Sequence, residues 1–115
     1  MSDSTQSREH YRLRYPLQAR PRLVMNGTDF TVTEISESGC RVVCNAEQSA
    51  PFSSSPDVTF SFHDGTRLQT TATLLRLAEE EVVLKLIPSM PLTVIIAEQH
   101  WVIRKFPRER PETES

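Results

Sequence analysis

Short runs of alternating apolar and polar residues, cut by tight polar turns, dominate the chain. Residues 30–36 alternate and are rich in β-branched side chains; Glu37-Ser38-Gly39 breaks the run, and residues 40–44 resume it with Cys40, Val42 and Cys44 on one face. Residues 19–25 form a short strand that ends at Asn26-Gly27, a strong hairpin signal. Residues 58–62 and 68–77, joined through Asp64-Gly65, predict a second hairpin, and residues 82–86 follow the acidic turn at 78–81. Six short strands in succession predict a mainly β fold, a small six-stranded antiparallel β-barrel. Residues 45–56, with three consecutive serines and two prolines, read as a polar loop.

The last apolar segment has a different period. Leu92, Ile95, Ile96, Gln99, Val102, Ile103 and Phe106 recur at helical spacing, with Pro91 suited to a first turn and Arg104 and Lys105 to the last. This predicts a C-terminal α-helix over residues 91–105 that covers part of the barrel. The expected organisation is a disordered N-terminus at 1–7 and one domain over 8–107, with a loop at 8–16 and a barrel over 17–87. A charged, mobile tail at 108–115 completes it.

Composition narrows the class. With 115 residues the chain suits one domain with a modest core. No apolar run approaches the roughly 18 to 20 residues a membrane span needs, and residues 1–7 are too polar for a signal peptide, so a cytoplasmic location is expected. Cys40 and Cys44 are four apart in a strand, too far for a disulfide, and read as small buried residues. His10, His63 and His100 have no carboxylate or Cys at metal spacing and are expected at the surface; Trp101 is expected in the core or at its rim. No nucleophile–base pair or phosphate-cradling glycine loop is present, so neither catalysis nor a metal or other cofactor is expected.

The net charge of −2 hides an asymmetry. Residues 1–22 carry Arg8, Arg12, Arg14, Arg20 and Arg22 against Asp3 and Glu9, a sum of +3, which leaves −5 for the rest. The N-terminal segment is therefore expected to meet an anion, though not bulk DNA or RNA, which calls for a basic domain. Two motifs sharpen that expectation. Arg8-Glu9-His10-Tyr11-Arg12 sets two guanidinium groups four residues apart, and Glu34-Ile35-Ser36-Glu37-Ser38-Gly39 begins 22 residues after Arg12. Guanidinium groups clamp phosphates bidentately and stack on flat heterocycles. Glu34 and Ser36, at i and i+2 of a strand, share a face and can accept from and donate to the edge of a base. Gly39 marks a backbone conformation or a close approach that a Cβ would block.

In these two motifs the chain resembles the PilZ family, bacterial receptors for the second messenger cyclic diguanylate (c-di-GMP). The family signature is RxxxR followed some twenty residues later by [D/N]xSxxG, and the resemblance extends from about Ser7 to about Pro107. It implies the same β-barrel with a terminal helix. It also implies that Arg8 and Arg12 bind the phosphates and guanines, that Glu34 and Ser36 contact guanine, and that Gly39 belongs to the ligand-binding set. Arg14 and Arg41 are further candidates. Glu34 stands where the family has Asp or Asn, and the extra methylene moves the carboxylate and adds rotamer entropy to be lost. The carboxylate could instead pair with an arginine.

The resulting expectation is a stand-alone receptor that binds c-di-GMP and relays its level to an effector protein. The alternative is a PilZ-fold protein-interaction module, for example in pilus or motility machinery, that does not bind nucleotide. A barrel binding single-stranded nucleic acid fits less well, because the domain is acidic beyond residue 22 and has only eight aromatic residues.

Overall fold

The computed structural model describes residues 12–107 and 112–114. The expectations for residues 1–7 and for Arg8 lie outside the described residues. The described residues form eight strands: β1 (Arg12–Arg14), β2 (Arg22–Met25), β3 (Thr28–Ser36), β4 (Gly39–Val43), β5 (Asp57–Ser61), β6 (Arg67–Ala78), β7 (Glu81–Ile87) and β8 (Glu112–Glu114). Six of them close an antiparallel barrel in the order β2-β5-β6-β7-β4-β3, sealed by β2–β3 pairing. The barrel, followed by the helix α2 (Leu92–Lys105), is the architecture expected from the sequence.

The hairpin signals act as their chemistry dictates. Asn26 and Gly27 both take positive φ, 53° and 78°, which suits a turn whose twist matches that of the flanking strands. Inward side chains from every barrel strand fill one core, among them Leu23, Val32, Val42, Phe60, Ala72 and Leu84, all fully buried. Helix α2 packs Ile95 and Val102 into that core, each burial being worth about 1.5–3 kcal/mol. Among the described residues no helix is long and apolar enough to cross a membrane.

Several local expectations are corrected. Residues 12–14 are not part of a loop: β1 pairs antiparallel with β3, Arg12 opposite Ser36 and Arg14 opposite Glu34. The physical reason is a short alternation, with Leu13 and Tyr15 buried between outward-facing arginines. The strand expected over 19–25 begins only at Arg22, because residues 17–19 form a 3-10 turn between Pro16 and Pro21. Beyond it the chain returns to the same edge of β3, where Val32 N–H donates to the Pro21 carbonyl at 2.9 Å.

The polar loop at 45–56 contains a short helix, α1 (Ala46–Ser49), followed by a 3-10 turn (Ala50–Ser54). Asn45 and Gln48 form a reciprocal capping box, and Phe52 inserts fully into the core. In the tail, where mobility is expected, β8 pairs with β1 and sets Glu114 opposite Arg12 and Glu112 opposite Arg14.

Candidate functional site

The strand β3 carries an irregularity on which the site depends. Phe30 and Val32 point into the barrel, and strict alternation would send Glu34 and Ser36 after them. Instead Val32 and Thr33 are both buried, and the pairing with β4 skips Thr33, from Val32 opposite Val42 to Glu34 opposite Arg41. This bulge reverses the phase, so Ile35 fills the core while Glu34 and Ser36 face outward. The Thr33 hydroxyl, buried by the same step, donates to the Arg41 carbonyl at 3.3 Å.

Around these two side chains lies an open pocket of about 230 Å3, lined by Arg12, Glu34, Ser36, Gly39, Arg41 and Arg76, with Leu75 and Val83 as apolar walls. Arg12 of the first motif, 22 residues before Glu34, thus meets the second motif at one pocket. Arg14 does not line the pocket but stands at its side, bonding Glu34 at 3.4 Å and Glu81 at 3.3 Å. Arg12 Nε lies 3.5 Å from Glu34, and Arg41 lies 3.7 Å from Glu81. The result is a chain of alternating charge, Arg12–Glu34–Arg14–Glu81–Arg41. The arginine pairing considered for Glu34 is therefore present. These pairs are loose and part-exposed, so each contributes at most about 1 kcal/mol to folding. They leave the guanidinium groups available for exchange.

Ser36 and Gly39 close the β3–β4 turn. The Ser36 hydroxyl accepts from Gly39 N–H and donates to the Gly39 carbonyl, both at 3.2 Å. A Cβ on Gly39 would run into the Leu84 carbonyl oxygen of β7, so the glycine is required by close approach of two backbones. Beneath the turn, Cys40 is buried and its thiol is pushed well above the ordinary range by desolvation, with the Glu34 carboxylate adding to the shift.

Arg76 was not singled out by sequence reasoning. It reaches the pocket because the β6–β7 register shifts between Leu74 and Arg76, and no local pattern signals that. A second cluster was also missed. Glu98 of α2 is buried on the helix's apolar face, accepting from the Tyr15 hydroxyl at 2.6 Å, with His63 Nδ1 at 2.7 Å. His63 lies at the surface, as expected, but stacks on Trp101 with ring centroids 3.8 Å apart. Burial raises the Glu98 carboxyl above its ordinary value against the pull of its Tyr15 and His63 partners. Burial and the Glu98 charge together push the Tyr15 hydroxyl far up. The available signal was positional: residues 95, 98 and 102 fall on one helical stripe, and the middle one is an acid.

Comparison with curated proteins and with solved structures gives no match. The family model described as PilZ domain matches residues 6–100, which include both motifs and every barrel strand. The chain therefore belongs to the PilZ domain family.

Proposed function

We propose that the chain is a cytoplasmic bacterial receptor that binds c-di-GMP on the outer face of the barrel and relays the signal to an effector protein, without catalysing a reaction. The observation that carries this reading is the convergence of Arg12, Glu34, Ser36, Gly39 and Arg41 on one open pocket. Arg76 brings a further guanidinium to the same rim. Phosphates would draw Arg12, Arg41 and Arg76, a guanine edge would meet Glu34, and guanidinium planes would stack on the bases. The pocket is smaller than the roughly 300 Å3 at which small-molecule sites begin. Much of a dinucleotide would therefore stand outside it.

The interaction-module reading draws on a specific observation: the side chains of Glu34 and Ser36 already have protein partners. Calorimetric titration separates the two. The receptor binds c-di-GMP saturably and a linear guanine dinucleotide much more weakly, and Arg8→Ala lowers the affinity ten- to a hundredfold, about 1.5–3 kcal/mol. The absence of heat from either nucleotide would favour the interaction module.

A further inference from the structure

The cleft between the β1–β2 connection and helix α2 lies apart from the nucleotide pocket and shares no lining residue with it. It encloses about 260 Å3. Its charged walls are Arg20 and Arg22, its polar ones Gln18 and Ser61, and its floor is the stacked pair His63 and Trp101. No carboxylate lines it. Arg22 is paired with Asp29 at 2.9 Å, whereas Arg20 forms no ion pair among the described residues. Moreover, Arg20 Nε is buried and has no hydrogen-bond partner there. A buried, charged N–H without an acceptor is costly, and such groups are nearly always matched in native proteins. An oxyanion entering the cleft would answer the charge of this guanidinium.

From these observations we infer that the Arg20–Trp101 cleft is a protein-docking site that captures a carboxylate side chain from an acidic segment of a partner. A protein source is favoured by the surroundings. Leu17, on the 3-10 turn that leads into Arg20, is 70% exposed. Arg104 and Lys105 lie in the last turn of α2, near the face that carries Trp101, and make no ion pair among the described residues. An arginine and a tryptophan in one cleft are the residue types enriched in protein-binding hot spots, and the exposed Leu17 adds an apolar edge beside them. A free phosphate would use the guanidinium but none of the apolar rim. The inference extends the relay half of the receptor reading and does not require nucleotide, so the two can fail separately.

The test is a nucleotide-free NMR titration of the full chain, following the Trp101 indole and Arg20 Nε–H signals. The probes are a blocked Glu-Leu-Glu-Glu peptide, its Gln-Leu-Gln-Gln counterpart and inorganic phosphate. The acidic peptide should shift both signals saturably, with at least tenfold weaker binding for the amide peptide. Arg20→Gln should abolish the Trp101 shift. Leu17→Asp, at a solvent-facing position that does not support the core, should weaken binding at least threefold. Equal shifts from both peptides, phosphate binding as tightly as the acidic peptide, or no saturable shift at all would each overturn the proposal.

Discussion

Arg14 and Tyr15 are neighbours in the chain, yet they feed two charge clusters of opposite character. Arg14 turns outward into the chain of ion pairs on the outer face of the barrel, where distances run from 3.3 to 3.7 Å and water reaches most groups. Tyr15 turns inward to Glu98, where the contacts are 2.6 and 2.7 Å and the carboxylate is only 4% exposed. Similar acceptors thus serve different ends because the solvent differs. In water an ion pair is weak and exchangeable, which suits the proposed exchange of these arginines onto a nucleotide. In the core the same acceptor, fully bonded, fixes the helix to the barrel, and losing it is costly.

That contrast is broken most directly by Glu98→Ala. It strands the buried Tyr15 hydroxyl and removes the partner of His63, and it should cost about 1–3 kcal/mol in urea unfolding. The c-di-GMP affinity of the protein that remains folded should change less than about threefold. A stability loss below about 1 kcal/mol would place Glu98 with the surface pairs.

Gly39→Ala tests whether every residue at the pocket is inexpensive to change. Gly39 lines the pocket but abuts the backbone of β7, so it should behave as a core position and lose about 1–3 kcal/mol of stability. Arg12→Ala should do the reverse. Stability stays within about 1 kcal/mol, while c-di-GMP affinity falls ten- to a hundredfold. Glu34→Ala should weaken nucleotide binding by about 1–3 kcal/mol while Glu34→Asp preserves it. A gain in affinity for Glu34→Ala would instead identify the carboxylate as a competitor for the arginines.

Alkaline pH sharpens the same comparison. The Tyr15 hydroxyl is held far above its ordinary value, so the folded state keeps a proton that the unfolded chain releases above about pH 10. An acid whose folded value is raised lowers stability as pH climbs. The loss should approach about 1.4 kcal/mol per pH unit, and Tyr15→Phe should remove that component. The smallest effect is expected from Ser36→Ala. It removes two neutral hydrogen bonds within one turn and should cost about 1 kcal/mol in stability or binding.

The barrel and helix were legible because alternation, Asn26-Gly27 and Asp64-Gly65 are local signals that act locally. The shared outward face of Glu34 and Ser36 was legible for the same reason. What was not legible is the bulge that makes this face compatible with an inward Phe30 and Val32. Thr33 carries no mark of being the extra residue, since its role is set by pairing with β4. The strand at residues 12–14 was hidden by its length, because one buried leucine between two arginines is too short to establish a period. Arg76 and the Tyr15–Glu98–His63 cluster depend on contacts across the fold, between residues as far as 83 positions apart. Propensity has no access to these.

Hydrogen exchange with and without saturating c-di-GMP tests the division between the two clusters most directly. The account predicts slower exchange in residues 8–16 and 34–41, where the nucleotide would bridge the arginines to Glu34 and Ser36. It predicts little change in α2, which the Glu98 cluster already fixes. Protection confined to α2, or found nowhere, would contradict it.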